Sequence, residues 1–184
     1  VNLLSSFEAP APGDAGADQE ARRERIASIV TALLGLIGLT GIDPLRSREH
    51  ILIANILEHA WAQGRSLDLA GLIEQVAAPP FDRLGAFPLD RFFPEKDRFA
   101  LALLLNNFLA APSFQTWLQG QPLDIPALLH TPAGKPRFSI FYLAHLAESE
   151  RMFFVTLLLE QVITWMRAQG GTTSLRALLY MDEI

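Results

Sequence analysis

Hydrophobic positions fall at helical spacing through most of the chain, and only the last fifty residues break that rhythm. Ile26, Ile29, Val30, Leu33, Leu34 and Ile37 recur at three- and four-residue intervals. They predict a helix from just after Asp18 to about Gly38. Asp18, Glu20 and Glu24 suit its amino end, where the backbone dipole favours negative charge. Leu39 to Pro44 reads as a turn. A second helix is predicted from about Leu45 to Gln63, with Ile51, Leu52, Asn55, Ile56, His59 and Ala60 on one face and Gly64 as its stop. Ser66 or Leu67-Asp68 opens a third helix through Leu69, Leu72, Ile73 and Val76, closed by Ala78-Pro79-Pro80. Phe81 to Phe93 reads as irregular. Pro94, followed by Glu95 and Asp97, opens a fourth helix. That helix is apolar nearly all round (Phe99, Leu101, Leu103, Leu104, Leu105, Phe108, Leu109), which predicts deep burial. Short helical or irregular pieces follow at Phe114 to Leu118 and Ile125 to Leu129.

After the turn Thr131-Pro132-Ala133-Gly134-Lys135-Pro136 the pattern changes. Phe138 to Ala144 is aromatic and β-branched enough for a buried strand. Glu150 to Gln169 predicts a long helix, apolar on most sides, with a polar stripe at Thr156, Glu160, Thr164 and Arg167. Gly170-Gly171 ends it. Leu175 to Met181 is a second apolar run, suited to a buried strand of a parallel sheet. Strand, helix, strand with short loops is a βαβ unit, with a right-handed crossover and both strand carboxyl ends on one edge. The fold expected is mainly α: a helical part followed by a C-terminal βαβ piece of a parallel sheet. Three parts follow: an opening strand and Ala/Pro/Gly-rich linker over 1–18, a helical part over 19–130, and the βαβ part over 131–184.

Composition narrows the chemistry. Half of the 184 residues are hydrophobic, about a fifth are charged, and the net charge is -5. That is a globular composition without a basic footprint for nucleic acid. The absence of cysteine excludes disulfides, thiol nucleophiles and cysteine metal sites, and fits a cytoplasmic protein. No secretory signal stands at the start. The apolar run Ile26 to Ile42 follows a basic cluster. It carries Ser28, Thr31 and three glycines and falls short of the ~20 strongly apolar residues of a membrane span, so it reads as a buried helix. Val1 is not a start methionine and the chain stops on an expected strand, so both ends look cut from something longer.

Asp182-Glu183 carries the clearest chemistry. Two carboxylates at the carboxyl end of a parallel strand sit where open α/β sheets bind ligands. This is the Walker B pattern, with Asp182 for a magnesium ion and Glu183 as the catalytic group that polarises water. The bland alternative is a solvated acidic strand end. The companion phosphate loop, G-x-x-x-x-G-K-[ST], is missing. At Gly134-Lys135, Leu129 stands at the first glycine position and Pro136 at the Ser/Thr position, which makes a turn instead. His145 at the strand edge can orient a ligand or phosphate, or simply bond a neighbouring loop. Arg151, in the first turn of the long helix, can sense charge at the site or pair with Glu148. His50 and His59 lie nine residues apart, which fails the spacing for two helical metal ligands, and they read as helix surface and interface.

Three stretches resemble bacterial ATP-binding proteins of the HerA/FtsK-type P-loop ATPase superfamily, which includes HerA-like helicases. They are Lys135 to Leu146, Glu150 to Val155 and Thr172 to Glu183. The likeness covers roughly the last fifty residues and extends loosely over the helical part. The latter looks like an insertion between phosphate loop and Walker B strand, with Val1 to Phe7 leading into it. The resemblance implies a RecA-like core, ATP and Mg2+ as cofactors, a ring-shaped homo-oligomer and, for a parent protein, DNA translocation. It assigns Asp182 to the magnesium site and Glu183 to the catalytic base. The phosphate loop and arginine finger are expected outside these 184 residues, so the chain alone is expected to be inactive. The rival reading is a self-contained helical interaction or regulatory domain. The first reading expects open apolar faces beside a parallel strand pair; the second expects every apolar face covered.

Overall fold

The computed structural model describes residue 9 and residues 19–111, 114 and 123–182. Seven helices follow in order: α1 Gln19–Leu36, α2 Arg48–Ala62, α3 Leu69–Ala77, α4 Leu89–Phe92, α5 Glu95–Ala110, α6 Ile125–Leu129 and α7 Glu148–Ala168. Two two-residue strands, β1 Arg83–Leu84 and β2 Phe87–Pro88, pair antiparallel before α4. The protein is therefore mainly α. The expected opening strand, and Phe114 to Leu118 beyond Phe114 itself, lie outside the described residues.

Local chemistry sets most helix limits. Ser47 caps α2, its Oγ accepting from the His50 amide at 3.1 Å, and Asp68 caps α3, its Oδ1 accepting from the Gly71 amide at 2.7 Å. Two helices end in the same closing motif. After α1, the Leu39 amide bonds the Leu34 carbonyl and Gly38 bonds Gly35; after α2, Arg65 bonds Ala60 and Gly64 bonds Trp61. Both motifs need a left-handed residue, supplied by Gly38 at φ +86° and Gly64 at φ +66°. At the start of α7, the Glu150 carboxylate accepts from the Ala147 amide at 3.1 Å.

The helices pack in a connected series. α1 lies against both α2 and α7, α2 against α3, α3 against α5, and α6 against α7. Having neighbours on two sides explains why α1 buries a broad arc: Ile26, Ile29, Val30, Ala32, Leu33, Leu34 and Leu36. One contiguous apolar core runs through the whole body, with Leu52, Ile53, Ile56 and Leu57 from α2 and Phe153, Phe154, Leu157 and Leu158 from α7. The run considered as a membrane segment is thus core. No helix of the described residues is long and apolar enough to cross a membrane.

Four expectations need correction. The stretch from Phe81 to Phe93 is not wholly irregular. Gly85, at φ +57°, and Ala86 turn a minimal hairpin that sets Leu84 opposite Phe87. α5 is not buried all round: Leu101, Ala102 and Leu105 face the core, while Phe99, Leu103 and Leu104 are 62%, 48% and 46% exposed. α3 covers one side of α5, so an apolar composition does not tell how many sides have neighbours. On α2 the buried face is rotated from the expected one. His50, Leu52, Ile53, Ile56, Leu57, Ala60 and Trp61 are buried, with Ile51, Asn55 and His59 at its margins. His50 is thus core and not surface. Finally, neither Phe138–Ala144 nor Leu175–Met181 forms a ladder, and the only sheet among the described residues is the β1–β2 hairpin. A strand is defined by its hydrogen-bonded neighbour, and neither run has one here.

Candidate functional site

Of the residues singled out for chemistry, His145 precedes α7 in the chain, Arg151 is in its first turn and Asp182 follows it. The run that leads into it is held at its root by α6. The Arg137 amide donates to the Leu129 carbonyl at 2.8 Å, Arg137 Nη1 to the Ala127 carbonyl at 3.1 Å and Ser139 Oγ to the Leu128 carbonyl at 2.7 Å. These bonds satisfy carbonyls that the end of α6 leaves without helical partners. The Thr131–Pro136 turn precedes them. The Gly134 amide bonds the Thr131 carbonyl at 2.8 Å, and the Thr131 amide bonds the Lys135 carbonyl at 2.9 Å. Gly134-Lys135 is a turn, as its sequence predicts.

From Phe138 onward the chain alternates. Phe138, Ile140 and Tyr142 are 96%, 91% and 74% exposed, while Phe141 and Leu143 are half-buried against the helical core. Phe141 packs on Phe154 of α7 with ring centroids 5.1 Å apart. This period of two is that of a strand docked by one face. Among the described residues, the backbone amides from Phe138 to Leu143 make no backbone hydrogen bond. Leu175, Leu178 and Tyr180, beyond α7, are 83%, 79% and 77% exposed.

The predicted site residues are distributed as follows. His145 is exposed and stacks on Tyr142, with centroids 5.8 Å apart and planes 20° from parallel. Arg151 is half-buried in the first turn of α7. Its Nε has no hydrogen-bond partner, and the expected ion pair with Glu148 is not formed. Asp182 is exposed and accepts a long 3.4 Å hydrogen bond from the Tyr180 hydroxyl. Glu183 lies outside the described residues. No hydrogen bond, ion pair or ring contact joins Asp182 to His145 or Arg151. Among the described residues no group of three or more His, Asp or Glu side chains is arranged to hold a metal, His50 and His59 included.

Two shallow clefts lie elsewhere. One is bounded by Ala77, Glu95, Lys96 and Phe99, and the other by Phe81, Asp82, Asp90 and Arg98. Sequence reasoning passed over Arg98, whose residue is only 6% exposed. Its Nη1 donates to Asp90 Oδ1 at 2.8 Å and to the Phe93 carbonyl at 2.6 Å, tying the β1–β2/α4 excursion onto α5. The one available signal is an arginine at the border between the polar first turn of α5, Glu95 to Asp97, and the apolar run that begins at Phe99. The described site residues are therefore not joined into one cluster by hydrogen bonds, ion pairs or ring contacts. Comparison of the chain with protein-family models, curated proteins and solved structures finds no match.

Proposed function

We propose that these residues are the helical insertion and part of the core of a HerA/FtsK-type P-loop ATPase. In this reading Asp182 holds Mg2+ and Glu183 polarises the attacking water. The observation that carries it is the pair of apolar runs flanking α7, both without regular secondary structure and both with large side chains open to solvent. Apolar surface of this kind is covered by a partner in a stable protein, and an extended run without ladder bonds takes up a neighbouring strand. Parallel pairing of Phe138–Ala144 with Leu175–Met181, crossing through α7, completes a RecA-like βαβ unit. It brings His145, the first turn of α7, Asp182 and Glu183 to one edge.

There Asp182 supplies a hard oxygen ligand to the magnesium ion of Mg·ATP, and Glu183 accepts a proton from water as it attacks the γ-phosphate. His145 and Arg151 stand where they can touch the nucleotide's phosphates. The loop that grips those phosphates is not among the 184 residues. The parent assembly is a cytoplasmic homo-oligomeric ring, with DNA as its track.

The second reading, a helical interaction or regulatory domain, draws on the single, mainly helical core formed around α1, α2 and α7 without a parallel sheet among the described residues. The open faces of Phe138, Ile140, Tyr142, Leu175 and Leu178 weigh against it. ATP turnover separates the two. The 184-residue chain is expected to hydrolyse no ATP, and a longer polypeptide with an upstream phosphate loop to hydrolyse it in the presence of Mg2+. In that polypeptide Glu183→Gln lowers turnover by at least ~100-fold. Undiminished turnover removes Glu183 from the mechanism, and a longer polypeptide without ATPase activity leaves the helical-domain reading.

A further inference from the structure

His50 is a titratable ring sealed into the seam between α1 and α2. The residue is 3% exposed. Its Nε2 lies 3.2 Å from the Ala27 carbonyl and 3.3 Å from Thr31 Oγ1, both on α1. Its backbone amide is tied to the Ser47 cap. A ring carrying hydrogen on Nε2 donates to the Ala27 carbonyl, neutral or charged, and so ties the first turn of α2 to the middle of α1; protonation at Nδ1 leaves that bond in place and acts instead by putting a charge into the dry seam.

A positive charge at this position is opposed from two directions. Burial removes the water that would solvate an imidazolium. The first turn of α2 also presents the positive end of a helix dipole. Desolvation accordingly holds the ring's pKa below its ordinary 6.5, only partly countered by the Ala27 hydrogen bond.

No carboxylate forms an ion pair with His50 among the described residues. Arg48 in the same turn stacks on Phe93, 5.0 Å from its ring centroid, and lies 3.7 Å from Asp97 of α5. Glu49 accepts the Ser47 hydroxyl at 2.7 Å. The charged residues of α1 all lie at Glu20–Arg25, before Ala27, and the only one on α3, which packs on the same helix, is Glu74.

We propose that His50 is a pH-sensitive latch: the neutral ring is accommodated in the dry seam between α1 and α2, and protonation, by burying a charge there, loosens that seam. Because α1 also carries α7, release loosens the support of the Phe138–Leu143 run.

The direction follows from linkage. With the folded pKa below the unfolded one, the unfolded chain binds the proton more readily. Stability is full above about pH 6.5 and declines as pH falls through 6.5 toward the folded pKa.

Thermal unfolding of the whole chain at pH 7.5, 6.5 and 5.5, at constant salt, tests the latch. Tm falls toward pH 5.5, by about 3–6 °C for each tenfold change in the folding equilibrium. His50→Gln, which keeps an amide donor, abolishes most of that fall, whereas His59→Gln retains it. An equal fall in His50→Gln and wild type overturns the proposal. Should His50→Gln not fold, hydrogen–deuterium exchange at ring C2 in the wild type decides. A His50 midpoint below 6.5 supports the latch, and one at or above 6.5 overturns it. Backbone amide exchange at pH 5.5 adds the location. Accelerated exchange confined to α1 and the start of α2 is expected, and equal acceleration in all helices overturns the latch.

Discussion

Arg167 Nη1 donates to Glu24 Oε2 across 2.7 Å, closing the last turn of α7 onto the second turn of α1 from 143 residues away. Both side chains are about half exposed, so water and salt screen the pair and it contributes at most ~1 kcal/mol. The junction it marks is stabilised from beneath, by Phe153, Phe154, Leu157 and Leu158 meeting the buried arc of α1.

That division of labour gives a direct comparison. Arg167→Ala is expected to cost less than ~1 kcal/mol in urea denaturation. Phe153→Ala, at a residue 2% exposed, is expected to cost about 3–5 kcal/mol. Fluorescence of Trp61 on α2 and Trp165 on α7 follows the two sides of the junction. With one core, both report a single transition in the wild type; separate midpoints would divide the body at α7.

The alternation after Arg137 is testable residue by residue. Phe138→Ala changes stability by less than ~0.5 kcal/mol, because a side chain 96% exposed loses no burial. Phe141→Ala costs more, about 1–2 kcal/mol, because its ring packs on Phe154. Equal effects at the two positions would show that neither face is docked.

Arg98 divides its bonds between an exposed and a buried acceptor. The Asp90 side chain is 78% exposed, so Asp90→Ala costs at most ~1 kcal/mol. Arg98→Ala also strips the Phe93 carbonyl of its donor and removes packing against the β1–β2 excursion, for a loss of about 2–3 kcal/mol. Proteolysis within 81–93 reads the same event, with cleavage accelerated in Arg98→Ala and unchanged in Asp90→Ala.

The candidate site was legible only as far as its letters. Asp182-Glu183 can be read from an apolar run ending in two acids, and the failure of Gly134-Lys135 as a phosphate loop from Pro136. Bringing Asp182 beside His145 depends on pairing two runs separated by the 21 residues of α7. No local signal specifies that pairing, since a parallel ladder gains nothing until its non-local partner is in place.

The same line divides the fold. The sequence by itself determined the helix limits, through the Ser47 and Asp68 caps, the left-handed Gly38 and Gly64, Pro94 before α5 and the Thr131–Pro136 turn. Each of these acts through neighbours a few residues away. Tertiary structure alone decided that α5 keeps Phe99 and Leu103 outside, that His50 rather than His59 enters the core, and that Arg98 closes over the hairpin. It also left Phe138–Ala144 and Leu175–Met181 outside any sheet. Those outcomes turn on which surfaces meet, and hydrophobic composition records the need for cover without recording its source.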